Sequence, residues 1–264
     1  MNLKRDNFWN NLNKDETSNR RKKNILYVFL ALAISFVIIH EPFLIAYGNW
    51  LSEESEDPSS DIVIPQGAGL YFAGDARLET AIKLFSEKKS TALITVALPE
   101  RMLKDRLSEK SIDRSRVYFG ECVSMTTFSD AIEIKKVLNQ KILTPRIITL
   151  VTDKYVLRRF KWIVHRNLDT NIQIKTYASR YQNYNISKAF NSPKWWQDSI
   201  TRDLVISETQ KLIFYWLYYE VFNNHDVNDI PFDDVSEWLF GNGIKDTSYQ
   251  RNRLLQKAQK FCSS

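Results

Sequence analysis

Arg146-Ile-Ile-Thr-Leu-Val151 decides the fold: it is continuous, β-branched and suited to solvent on neither face. A strand of that kind needs cover on both sides, which parallel sheets obtain from crossover helices. Its neighbours supply them. Residues 153–166 read as a helix after it, and Phe128–Leu138 as one before it, with Ala131, Ile134 and Leu138 turned inward. Upstream, Asp61–Pro65, Thr91–Leu98 and Arg116–Phe119 are short β-rich runs. They are separated by helical patterns over 75–88 (Leu78, Ala81, Ile82 and Phe85 on one face) and 100–109, which Pro99 opens. Downstream, Ile172–Tyr177 is a further strand, and 199–219 a last helix carrying the apolar octet Leu212–Tyr219. That octet reads as a core helix sealing the sheet, with membrane skimming as the lesser alternative. Strands alternating with helices predict a Rossmann-like three-layer α/β sandwich with a mostly parallel sheet over 61–220. Residues 221–264, rich in turn formers at 223–234 and 241–243, form a C-terminal extension.

The 264 residues carry a net charge of +6 that is unevenly placed. Residues 1–23 hold +4, residues 24–61 hold −6 with no Lys or Arg, and the remainder holds +8. Between the first two blocks, residues 25–39 are apolar apart from Ser35. The run resumes at Phe43–Tyr47 after His40, Glu41 and Pro42. Fifteen residues are short for a bilayer, but 25–47 is long enough. Arg20-Arg21-Lys22-Lys23 abuts the run, so the positive-inside rule keeps 1–23 cytoplasmic and sends the rest across the membrane. The expectation is an uncleaved signal anchor over 24–47, with Tyr47 and Trp50 at the far interface and an acidic linker over 48–60. Cleavage near Ala46-Tyr47-Gly48 is the competing reading.

Two cysteines (Cys122, Cys262) and three scattered histidines (His40, His165, His225) exclude a disulfide framework and argue against a metal centre. No cofactor fingerprint or nucleophile elbow occurs. Basic residues lie scattered among acids without a nucleic-acid motif, so no nucleic acid is expected as a partner.

Ligands of parallel sheets bind beyond the carboxyl ends of the strands. There stand Gly67 and Gly69, where backbone can approach an anion; Glu121, Ser124, Thr127 and Asp130 at the start of one helix; and Thr152 with Arg158 and Arg159 at another. Arg77, on the first helix, completes the cationic candidates. Helix capping by Thr126 or Thr127, and a solvated arginine face, explain part of this equally well.

At these loops the chain resembles the SanA/ElyC/YdcF-like family of bacterial envelope proteins. The resembling stretches are Gly67-Ala68-Gly69 followed by Arg77-x-x-x-Ala81-x-x-Leu84; Glu121-x-x-Ser124-x-x-Thr127-x-x-Asp130-Ala131; and Leu150-Val-Thr152-x-x-Tyr155-Val156-x-x-Arg159. Trp195 and the helix bearing Glu208 and Lys211 also look like that family's end. The resemblance implies a membrane-anchored extracytoplasmic protein of cell-wall or surface-polysaccharide biogenesis or barrier integrity. It also implies a site for an anionic, phosphate- or sugar-linked ligand on Gly67, Gly69, Arg77, Ser124, Thr127, Thr152 and Arg159. It departs from the family in lacking Ser-Gly-Gly after the second strand, where Thr95-Val-Ala-Leu98 stands. The family histidine is Val156, Asp130 replaces an asparagine, and Asp153 replaces a serine. The alternatives are a transferase or hydrolase on lipid-linked intermediates with Glu121 or Asp130 as base, and a non-catalytic scaffold for envelope-assembly proteins.

Overall fold

The computed structural model describes residues 24, 27–28, 30, 40–67, 73–98, 100–110, 112–121, 126–168, 171–179, 190 and 192–221. Two units divide the chain, Met1–Tyr47 and Gly48–Ser264. Most of the expected anchor, with Gly69, Ser124 and the extension from 222 onward, lies outside the described residues. Residues 40–51 are helical (α1). Among the described residues no helix is long and apolar enough to cross a membrane.

In the second unit, five strands form one all-parallel sheet: β1 (Ser60–Pro65), β2 (Ser90–Thr95), β3 (Val117–Phe119), β4 (Ile147–Thr152) and β5 (Gln173–Ala178), in the order β3-β2-β1-β4-β5. Between them run α2 (Ala73–Ser86), α3 (Glu100–Glu109), α4 (Thr127–Gln140) and α5 (Leu157–Asn167, after a 3₁₀ turn Lys154–Val156). Helix α6 (Ser199–Trp216) follows and closes on a π-turn, Leu217–Val221. The sheet is Rossmann-like and doubly wound: the chain moves from β1 out to β3 on one side, then crosses to β4 and β5 on the other.

Alternation along the strands sorts the core into two layers. Ile62, Ile64, Ile94, Ile148, Leu150 and Ile174 face α4 and α5, where Phe128, Ile134, Phe160 and Ile163 are buried. Val63, Leu93, Val117 and Val151 face α2 and α3, against Leu78, Ile82, Leu103 and Leu107. Strand β4 runs one residue later than the sequence pattern places it, with Arg146 exposed and Ile147 half-buried, and Ile148 through Thr152 are all buried. Strand β2 stops at Thr95 rather than reaching Leu98, because Ala97 takes a left-handed backbone (φ 56°).

Both sheet edges are managed. Strand β3 has only three residues. Along β5, residues of the acidic segment occupy the outer edge: Ser55 N–H donates to the Thr176 carbonyl (2.9 Å), Ala178 N–H to the Glu54 carboxylate (3.0 Å), and Thr176 Oγ1 to the Glu53 carbonyl (2.9 Å).

Candidate functional site

The strand order sets where a ligand can sit. Strands β1 and β4 are neighbours, but their chains leave in opposite directions along the sheet, which puts the switch point, where sheets of this kind hold ligands in a crevice, beyond their carboxyl ends. Three segments separated widely in sequence meet there: Gln66-Gly67 after β1, Thr127 and Asp130 on the first turn of α4, and Thr152-Asp153 at the end of β4.

Gly67 is required by close approach. A Cβ there would lie 2.3 Å from Ala97 Cβ, 2.8 Å from the Val96 carbonyl and 3.0 Å from Asp130 Oδ1. The end of β1 is thus pressed against the end of β2, with the buried Asp130 carboxylate beside it. Thr126 is the residue that caps α4: its hydroxyl accepts from Ser129 N–H (3.0 Å), and Ser129 Oγ accepts from Thr126 N–H (3.0 Å), a reciprocal capping box. With capping assigned to Thr126, Thr127 is available for tertiary bonding.

Its bonds form a directed chain. Thr152 Oγ1 donates to Gln66 Oε1, which fixes the amide so that Gln66 Nε2 donates to Thr127 Oγ1 (3.0 Å). Arg159 Nη1 donates to the same oxygen. Two more of the Arg159 N–H groups go to Glu208 of α6, through Nε to Oε2 (2.5 Å) and Nη2 to Oε1 (3.2 Å), and Lys211 joins Glu208 Oε1 at 2.8 Å. Burial opposes ionisation of Glu208, but Arg159 and Lys211 outweigh it and hold its carboxyl below the ordinary value. Burial likewise works against the Arg159 charge, and Glu208 more than offsets it. The second arginine is also engaged: Arg77 Nη2 donates to Asp153, whose carboxylate further accepts from Ser179 Oγ (3.1 Å) and Tyr155 OH (3.3 Å).

The structure therefore gathers Gly67, Arg77, Thr127, Asp130, Thr152 and Arg159 at one edge. Glu121 lies apart from them: its side chain is 66% exposed and paired with Lys136, and its N–H donates to Glu133 Oε1 (2.8 Å). The neighbouring arginines diverge. Arg159 points into the domain, whereas Arg158 stacks over Trp50 (4.6 Å to the ring centroid) and pairs with Glu53 at 2.8 Å. Val156 is buried in the core layer beneath α5. Residues that sequence reasoning did not place in the site are Gln66, Asp153 and Glu208. A lone glutamate within Leu204-Val-Ile-Ser-Glu208 was the visible signal for the last of these, because a carboxylate on a helix that seals a core needs a cationic partner.

In comparisons with known proteins, no family model and no curated sequence matches the chain. The geometry of the edge carries the functional argument.

Proposed function

We propose that the chain is a membrane-anchored extracytoplasmic protein of cell-envelope biogenesis whose α/β unit binds a phosphate- or sugar-linked ligand at the crevice between β1 and β4. The observation that supports this reading is convergence. The three stretches that resemble the SanA/ElyC/YdcF-like family are separated by up to 92 positions, from Gly67 to Arg159, yet Arg77, Thr127, Asp130, Thr152 and Arg159 from them gather at the sheet's switch point. Thr127, Thr152 and Arg159 are buried there. Buried polar side chains placed at that edge cost stability unless fully bonded, and they serve a ligand more readily than a core. The exposed position of Glu121 and the core position of Val156 favour binding over acid–base turnover through either of them, and leave Asp130 as the candidate base within the site.

The full-length protein, purified in detergent, is expected to retain a glycosylated or phosphorylated molecule detectable by native mass spectrometry. Thr152→Val is expected to lose it while keeping its circular dichroism spectrum. A wild-type chain with no such molecule bound, and no affinity for one added back, counts against the proposal.

A further inference from the structure

The polarity of the buried chain narrows what the crevice can hold; the argument rests on the binding reading above. A threonine hydroxyl has one proton to donate and two acceptor lone pairs. Thr127 Oγ1 already accepts from Gln66 Nε2 and from Arg159 Nη1, so both lone pairs are used. Its proton is left to donate, and no described residue accepts it. Thr127 is only 6% exposed, which makes an unspent donor costly there. The amide of Gln66 cannot turn to accept that proton without losing the bond from Thr152. At the same edge, at the end of β2, Thr95 Oγ1 is buried with no hydrogen-bond partner. Two buried hydroxyls thus stand unspent at the carboxyl ends of the central strands.

Charge points the same way. The guanidinium of Arg159 is forked onto Glu208, and that of Arg77 is bonded to Asp153. Asp130 adds a buried carboxylate facing Gly67. Among the described residues, two buried arginines therefore meet three buried carboxylates, with half-buried Lys211 beside Glu208 as a further cation. A phosphate entering this cluster would meet the Asp130 carboxylate, while Arg159 and Arg77 already share their charge with Glu208 and Asp153; a neutral oxygen meets no such repulsion.

We infer that Thr127 is the specificity-determining donor of the site, and that the group seated on it is a neutral oxygen acceptor of a sugar: a hydroxyl, a ring oxygen or an amide carbonyl. Any phosphate of the ligand lies outside the buried cluster. Arg159 is a positioning residue: it holds Thr127 as a donor and does not itself bind the ligand's charge.

The test uses the full-length protein in detergent and three probes: N-acetylglucosamine, N-acetylglucosamine 1-phosphate and inorganic phosphate, each titrated at low and high salt. The expected result is that the two sugars bind within about three-fold of each other with little salt dependence, since the contact is between neutral groups, and that inorganic phosphate does not compete. Thr127→Val is expected to weaken sugar binding about ten-fold, and Thr127→Ser, which keeps the donor, to stay within about two-fold. The wild-type comparison of the probes is decisive even if Thr127→Val fails to fold. Binding of inorganic phosphate that weakens steeply with salt overturns the inference while leaving a ligand-binding edge in place. Binding by none of the three removes the inference and the binding reading together.

Discussion

At the scale of single residues, close contacts and paired charges govern this unit. Gly67 and Ala97 face each other across the ends of β1 and β2, and Ala97 holds a left-handed backbone that favours glycine. Gly67→Ala is therefore expected to destabilise the protein by about 2–3 kcal/mol through overpacking. Adding Ala97→Gly should recover part of that loss, because it removes the nearest of the clashing atoms and relieves the strained φ. A double-mutant cycle in urea reads this coupling; strict additivity would show that the two positions do not press on each other. Glu208 offers a second test through pH. Its folded-state carboxyl is held below the ordinary value, so its contribution is fully present above the unfolded value of about 4.3 and is lost as pH falls through the depressed one. Glu208→Gln leaves Arg159 buried without its counter-ion and is expected to cost about 3 kcal/mol at neutral pH. The gap to wild type should narrow on acidification. A gap that stays constant into strong acid would mean that the carboxylate charge is not what stabilises. These residues also show where sequence reading stops. Arg158 and Arg159 are chemically identical neighbours on one helix, and only the packed structure reveals that one reaches Trp50 and the other Glu208.

At the scale of elements, most of the architecture was legible. The strands and helices between Asp61 and Tyr219 all occur within a few residues of where periodicity placed them, because buried parallel strands and amphipathic helices carry the strongest local patterns. Strand order was not legible. The pairing of β1 with β4 joins Ile62 to Ile148 across 86 positions, and no local pattern encodes which buried strand lies beside which. Helix ends were hidden for a different reason. Helix α4 stops in a Schellman arrangement without glycine: Leu143 N–H donates to the Leu138 carbonyl (2.9 Å) and Ile142 N–H to that of Asn139 (3.2 Å). Leu143 and Leu138 belong to the same core layer. This leaves Ile142, a β-branched residue, at φ 53° and 85% exposed. Ile142→Gly is expected to raise stability by about 1 kcal/mol, since it removes the left-handed strain and sacrifices almost no buried surface. Thermal unfolding checks it; a lower melting temperature would mean that the side chain packs in a way its exposure does not show.

At the scale of the whole molecule, charge along the chain connects the fold to its proposed place in the cell. The +8 beyond residue 61 suggests arginines awaiting an anion, but the two arginines at the switch point are bonded to carboxylates of the same unit. The acidic −6 block also has structural work, since Glu53, Glu54 and Asp57 contact Arg158, β5 and Lys175. The leading basic cluster, Arg20 to Lys23, stands in the sequence directly before the apolar run. If that cluster orients an anchor over 24–47, everything from residue 48 onward crosses the membrane. A periplasm-active phosphatase fused after Val221 should then be active and a cytoplasm-active galactosidase inactive at the same point. Replacing Arg20, Arg21, Lys22 and Lys23 with neutral residues should lower the phosphatase signal and raise the other, because the retained charge is what fixes the orientation. Galactosidase activity from the unaltered chain would put the unit in the cytoplasm and end the envelope reading, while leaving the α/β fold and the polarity of its crevice as they stand.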